Sequence, residues 1–255
     1  MRTNLKEKIA LVTGASSGLG ARFARVLAAN GALVVLAARR EERLKDLRAE
    51  IEAAGGEADV VPMDVTDFES VNAAVAKVEA ENGPIDILVN NSGVSTTQRL
   101  TDVEPVDFDY VFNTNVKGAF FVAQAVAKRM IARSKGQPDF RGRIVNIASV
   151  AGLRVVPQIG VYAMSKAAVV HMTRAMALEW GRYGINCNAI CPGYIDTEMN
   201  HEHWDTEGGR KLIDMLPRKR VGRPEDLDVV LLMLVSGQSH FVNGAVVAAD
   251  DGFGV

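Results

Sequence analysis

Residues 9–13, Ile-Ala-Leu-Val-Thr, run straight into Gly14-Ala15-Ser16-Ser17-Gly18-Leu19-Gly20. A short apolar run of this kind is read as a buried strand, and Phe23, Val26 and Leu27 then fall at helical spacing until Gly31 ends the pattern. A strand, a glycine turn and a helix in that order leave the unpaired N–H groups of the helix start facing the turn. Glycines there permit a tight turn and close approach of an anion, and a pyrophosphate is the group such a turn accommodates. The spacing alone arises by chance. Its position, after the first strand and opening a helix, is what points to a dinucleotide.

Strand and helix patterns keep alternating downstream. Apolar runs at residues 32–37, 58–63, 85–89, 144–148, 185–190 and 245–249 predict strands. Between them, residues 41–54 carry Leu44, Leu47 and Ile51 on one face, and Thr66-Asp67-Phe68-Glu69 has the capping-box form that would start a helix to residue 81. One long helix is predicted over 108–133, a second over 160–183 and a third over 225–235 behind Pro224, with an irregular segment before that proline. The strands are apolar throughout rather than alternately, which argues for a parallel sheet covered on both faces. The expected fold class is α/β, a doubly wound Rossmann-type sheet of about seven parallel strands. No composition break marks a linker, so residues 1–255 are read as a single domain.

Charge and cysteine usage narrow the function classes. Twenty-nine Lys and Arg against 31 Asp and Glu leave a net charge of -2, which offers no electrostatic footprint for nucleic acid or an anionic membrane. The N-terminal apolar run is too short for a signal-peptide core or a membrane span, and a cytoplasmic location is expected. Cys187 and Cys191 lie four apart, a spacing that suits neither a redox pair nor a zinc half-site, so they read as reduced buried thiols. His201 and His203 sit in a polar stretch with no third ligand and read as solvated side chains; no metal is expected. Arg218-Lys219-Arg220 reads as a solvated loop.

Chemistry enters at Tyr162-Ala163-Met164-Ser165-Lys166. In a helix, residues four apart share a face, so this phenol and ammonium converge on one point. A free tyrosine, titrating near about 10, is a weak acid-base catalyst at neutral pH, and a cation beside it would stabilise the phenolate. Lys166 is the expected cation. Ser149 follows the fifth predicted strand, and Asn115 falls inside the long predicted helix, where bonding to local backbone competes with a functional role.

In order, Thr13-Gly14-x3-Gly18-x-Gly20, Asn90-Asn91-Ser92-Gly93, Asn115, Ser149, Tyr162-x3-Lys166 and Pro192-Gly193-x3-Thr197 resemble the motif set of the short-chain dehydrogenase/reductase family. The resemblance is to its small single-domain branch, similar to 3-oxoacyl carrier-protein reductases, and it runs over residues 6–252. Ser92 stands where the family more often has alanine, and a surface loop at 134–141 lengthens the spacing from Asn115 to Ser149. The resemblance implies hydride transfer between a nicotinamide and a secondary alcohol or ketone. Tyr162 would exchange a proton with the substrate oxygen, Ser149 would hydrogen-bond it, Lys166 would hold the nicotinamide ribose and lower the Tyr162 pKa, and Asn115 would anchor a water that replenishes the proton. A carbonyl accepting hydride gains negative charge on oxygen, so donors fixed there act in the transition state. Cofactor contacts are implied for Gly14, Ser16, Ser17, Gly18, Leu19, Gly20, Asn91, Ser92, Gly93, Tyr162, Lys166, Pro192 and Gly193. Asp64 and Val65 would meet the adenine, and Ile195 and Thr197 the nicotinamide amide.

After the second predicted strand, Ala38 takes the place where an acid would bond the adenosine ribose, and Arg39 follows. Arginine attracts a 2'-phosphate bidentately. NADP(H) is therefore expected, with NAD(H) the alternative if Arg39 and Arg40 merely open a solvated helix. Substrate walls are expected at residues 94–100 and 150–160 and in a lid over 198–216, where Met199, Trp204, Met215 and Leu216 offer apolar surface. A 3-oxoacyl thioester is an alternative substrate, and a catalytically silent dinucleotide-binding scaffold an alternative function. The resemblance also implies a homotetramer, or a homodimer, assembled through the two long helices.

Overall fold

The computed structural model describes residues 3–198 and 200–254. Seven strands, β1 (Ile9–Thr13), β2 (Leu33–Ala38), β3 (Glu57–Pro62), β4 (Ile87–Asn90), β5 (Gly142–Ile147), β6 (Ile185–Pro192) and β7 (Val246–Ala249), form one sheet in the order β3-β2-β1-β4-β5-β6-β7. Every pairing is parallel; Leu11 of β1, for example, lies opposite Val35 of β2 and Leu88 of β4. Successive strand residues point to opposite faces, and each face has its own core. Ala10, Val12, Val34, Leu36, Val89 and Val145 pack with Phe23 and Leu27 of α1 (Gly18–Ala29), Leu44 and Leu47 of α2 (Glu41–Ala53) and Leu231 of α8 (Asp228–Val235). Leu11, Val35, Leu88 and Ile144 pack with Val71 and Val75 of α3 (Phe68–Glu81), Val122 and Val126 of α5 (Ala119–Ser134) and Met176 of α6 (Gly160–Trp180). Burial on both sides is why these strands carry apolar residues at every position.

The strand order reverses between β1 and β4, and the crevice outside the carboxyl ends there is where such a sheet receives ligands. The glycine turn leaves β1, Asn91-Ser92-Gly93 leaves β4, Ser149 follows β5, and Pro192 ends β6. These four sequence motifs therefore open onto one end of the sheet, at the carboxyl ends of its strands.

Several local expectations are corrected. Asp67, not Thr66, caps α3, its Oδ1 accepting from the Glu69 N–H at 2.9 Å. Thr66 is already engaged, donating through N–H (2.9 Å) and hydroxyl (2.7 Å) to Asp64 Oδ1. The long helix starts earlier, at Pro105 of α4 (Pro105–Phe112), where a proline suits the first turn. It then passes through a π turn, Asn113–Gly118, before α5. The segment expected to be irregular holds a 3-10 turn, His201–Asp205, and a helix, α7 (Glu207–Met215). Thr206 caps α7 by accepting from the Gly209 N–H at 3.0 Å. Gly208 and Gly209 disguised that helix, yet a Cβ on Gly209 would lie 2.0 Å from the His203 carbonyl, so glycine is what lets the two turns pack. No helix among the described residues is long and apolar enough to cross a membrane.

Candidate active site

The glycine turn is built by exclusion. A Cβ on Gly20 would sit 2.2 Å from the Gly14 carbonyl oxygen, and one on Gly14, at φ +65, would sit 2.9 Å from Asn91 Nδ2. The Thr13 hydroxyl accepts from the N–H groups of Asn91 (2.9 Å) and Ser92 (3.1 Å), while Asn91 Nδ2 donates to Thr13 O at 3.1 Å. These bonds tie the exits of β1 and β4 together at the reversal point. Ser17 precedes α1 without a side-chain cap, and the first turn of α1 carries no acid. The helix start thus keeps its N–H groups for an external anion, the fit a pyrophosphate requires. Leu19 packs down onto the core beneath.

Arg40, which the sequence reading passed over in favour of Arg39, is the arginine that reaches the turn. Its Nε and Nη2 donate to Ser16 Oγ at 3.2 and 2.9 Å, and Nη2 donates to Ser17 Oγ at 2.8 Å. Arg39 is exposed and lies on the Asp64 side of the crevice. Burial pushes the Asp64 carboxyl up, but the Thr66 hydrogen bonds and the Arg39 charge outweigh it and hold the carboxyl below its usual value. The Val65 carbonyl closes against the π turn, 2.8 Å from where a Gly118 Cβ would be.

Tyr162 and Lys166 occupy the first turns of α6, Tyr162 half-buried and Lys166 buried. Lys166 Nζ donates to the Ile147 carbonyl at 2.9 Å and stands 5.6 Å from the centre of the Tyr162 ring. Burial pulls the Lys166 ammonium down to about 8, with Cys191 opposing. Burial likewise pushes the Tyr162 phenol above its usual value, and a hydrogen bond with Ser149 only partly offsets this. The expected depression of Tyr162 by Lys166 is therefore not what this geometry produces, because the ammonium is turned toward Ile147. Ser149 has extended backbone, and its Oγ accepts from the Ala151 N–H at 3.1 Å. Cys191, buried beside this group, is pushed up to about 11 by burial and stays a thiol.

Asn115 lies in the π turn, a helix defect that often marks a functional position. Its Oδ1 accepts from Val94 N–H at 2.8 Å, and its Nδ2 donates to Val94 O (2.8 Å) and Ser165 Oγ (2.9 Å). Ser165 Oγ donates in turn to the Tyr162 carbonyl at 2.7 Å. Asn115 is thus bonded across the site rather than to its own helix, and Ser165 is a link the sequence reading missed. A Gly93 Cβ would lie 3.3 Å from Lys166 Nζ and 3.4 Å from Asn115 Oδ1, so both polar groups border that glycine.

Beyond β6, Gly193 packs against Asp250, where a Cβ would come within 2.7 Å of backbone. Ile195 bridges to Gly222, and Thr197 donates through N–H (2.8 Å) and hydroxyl (3.1 Å) to Asn200 Oδ1. Thr197 Cβ is 3.6 Å from where a Gly18 Cβ would stand, so this segment passes over the start of α1, and Arg43 Nη1 of α2 fastens it by donating to Glu198 at 2.8 Å. Trp204 meets Tyr194 edge-on at 5.9 Å, Leu216 is buried and Met215 exposed; Met199 lies outside the described residues. On the opposite wall, the Gln98 N–H donates to the Gln158 carbonyl at 2.7 Å, joining the 94–100 and 150–160 segments. His201 Nδ1 is 2.9 Å from Asp196, which raises the imidazole pKa. Among the described residues no group of three or more His, Cys, Asp or Glu is placed to hold a metal ion.

Residues 8–208 match the family model described as short chain dehydrogenase. Gluconate 5-dehydrogenase of Gluconobacter oxydans (strain 621H) is 42% identical over 96% of this chain and 94% of its own. A 3-oxoacyl-acyl-carrier-protein reductase of Thermotoga maritima is 36% identical over 97% and 98%. The crystal structure of a gluconate 5-dehydrogenase from Burkholderia cenocepacia, in complex with NADP and tartrate, superposes with a TM-score of 0.92 at 38% identity, over 99% of this chain and 97% of that one. With these motifs gathered at one end of the sheet and likeness along the whole chain, this protein belongs to the short-chain dehydrogenase family and is an NAD(P)-dependent oxidoreductase.

Proposed function

We propose that the enzyme interconverts a secondary hydroxyl and a ketone on a polyhydroxy substrate with NADP(H), through Tyr162, Lys166, Ser149 and Asn115. The observation that carries this reading is the chain of bonds from Val94 through Asn115 and Ser165 to the Tyr162 carbonyl, with Lys166 buried beside it. A solvated helix face has no use for such bracing.

When bound, the nicotinamide supplies or accepts the hydride at the substrate carbon. Tyr162 gives its phenolic proton to the substrate oxygen, or takes it in the oxidative direction, and Ser149 holds that oxygen by a hydrogen bond. Burial keeps the Tyr162 phenol protonated at neutral pH, the state a proton donor needs. Lys166 holds the ribose hydroxyls and supplies positive charge near the phenol. Asn115, which borders Gly93 together with Lys166, would anchor a water through which the proton is replaced.

The glycine turn with Asn91, Ser92 and Gly93 would hold the pyrophosphate and nearby ribose, Asp64 and Val65 the adenine, and Pro192, Gly193, Ile195 and Thr197 the nicotinamide amide. Arg40, bonded to Ser16 and Ser17, supports a 2'-phosphate and hence NADP(H) over NAD(H), with Arg39 a second cation on the Asp64 side. Residues 198–216 serve as the substrate lid. The gluconate relatives support a sugar-acid or sugar-alcohol substrate, and the reductase relative keeps a 3-oxoacyl thioester as the rival. Phe108, Tyr110 and Phe120 on α4 and α5, with Met164 and Leu178 on α6, are exposed apolar surface that supports a homotetramer or homodimer, which light scattering would resolve.

The test is NADP-linked turnover over a panel of polyols, sugar acids and 3-oxoacyl thioesters. Wild type should turn over a sugar acid or polyol, and Tyr162→Phe should lose about a hundredfold or more in kcat while binding NADPH equally well. Equal rates in the two proteins would sink the assignment.

A further inference from the structure

Arg154 ends a single helical turn that starts just after Ser149, its N–H donating to the Val150 carbonyl at 3.0 Å. Its guanidinium lies over the Phe253 ring, 4.3 Å from the centre, and Nη1 donates to the Phe253 carbonyl. Phe253 meets Tyr194 edge-on at 5.2 Å, and Tyr194 meets Trp204. One wall is thus assembled from the segment after Ser149, the C-terminal tail, the turn after β6 and the lid.

The tail beneath Arg154 is fixed. Asp250 accepts from the N–H groups of Gly252 (3.1 Å) and Gly254 (2.6 Å), and Asp251 pairs with Arg218 (3.3 Å) and Arg220 (3.1 Å). Arg220 also pairs with Asp226 at 3.5 Å, so those two arginines face two carboxylates, whereas Arg154 is exposed and forms no ion pair among the described residues. A guanidinium presents a planar fork of donors, and stacking on a ring removes much of the entropy lost on binding. Among the described residues only Nη1 is engaged in a hydrogen bond. A planar guanidinium held in this way matches a planar carboxylate, which it can take bidentately.

We propose that Arg154 is a specificity-determining residue that takes a carboxylate at the end of the substrate remote from the reacting carbon, making the substrate a polyhydroxy acid rather than a neutral polyol. This rests on the oxidoreductase reading above. Substrate would then lie with its reacting oxygen at Ser149 and Tyr162 and its acid end against the Phe253 platform.

The experiment compares D-gluconate with D-glucitol, the neutral polyol of the same length, in wild type, Arg154→Met and Arg154→Lys, with thermal melting as a folding control. Binding of gluconate to the NADP-loaded enzyme is measured alongside by calorimetry. Arg154→Met should lower the ratio of kcat/KM for acid over polyol, and gluconate affinity, by about tenfold to a hundredfold, with Arg154→Lys between. Added salt should weaken gluconate binding in wild type and less so in Arg154→Met. Equal losses for both substrates, no loss for either, or wild type that turns over the polyol and neither binds nor oxidises the acid, would each overturn the proposal, and the last would leave the oxidoreductase reading standing. Wild type inert toward every alcohol in the panel but binding gluconate through Arg154 would sustain this site while removing that reading.

Discussion

Asn115 holds Val94 by both of its main-chain polar groups, accepting from its N–H and donating to its C=O, each at 2.8 Å. One amide side chain thereby does for the loop after Gly93 what a neighbouring strand would do. Truncation to Asn115→Ala strands that N–H and that carbonyl together and takes one donor from the Ser165 hydroxyl, and a polar group shut from water without a partner is expensive. Urea unfolding should report a loss of about 2–4 kcal/mol. Asn115→Asp keeps the acceptor and loses the donors, and should fall between; an alanine variant as stable as wild type would show that the π turn holds its shape without the amide.

The bonds from Arg40 to Ser16 and Ser17 lead to a cofactor prediction. Arg40→Ala should weaken NADPH binding by about tenfold to a hundredfold and leave NADH binding within about threefold, since only the former carries the phosphate. Arg39→Ala should have a smaller effect. Fluorescence titration of both cofactors separates the cases, and parallel losses for NADPH and NADH would mean that Arg40 merely shapes the turn.

Lys166 makes stability depend on pH. Its pKa in the folded protein is about 8, against 10.5 for the ordinary group. Below the lower value both states hold the proton, and the penalty for burying the charge is full. Between the two values the folded state has released the proton and the unfolded state has not, so stability rises with pH. The stability of wild type minus that of Lys166→Met should climb across this window by up to ~3 kcal/mol. A flat difference would mean that the ammonium is solvated in the folded protein.

Much of the fold was legible because its signals are local. The run of residues 9–13 into Gly14, Gly18 and Gly20 combines strand, turn and helix within hydrogen-bonding distance along the chain, and β1 and α1 lie nearly where the pattern places them. The same holds for Leu44, Leu47 and Ile51 of α2, all buried. Harder to read were features decided by competition between neighbours. Thr66 lost the cap of α3 because Asp64 claimed its hydroxyl, and α7 formed through two glycines, of which close packing against His203 needed Gly209.

Sequence by itself determined the alternation of elements and the doubly wound parallel sheet, since spacing and residue type suffice for these, and its resemblance to a family put Ser149, Tyr162, Lys166 and Asn115 forward as a set. Tertiary structure decided which way the groups point. It turned Lys166 toward Ile147 and left the Tyr162 phenol above its usual pKa, sent Arg40 to the serines, bonded Asn115 to Val94 and stacked Arg154 on Phe253. Each of these joins residues from different elements, and burial and hydrogen-bond direction at such junctions come into being only when the sheet brings the loops together.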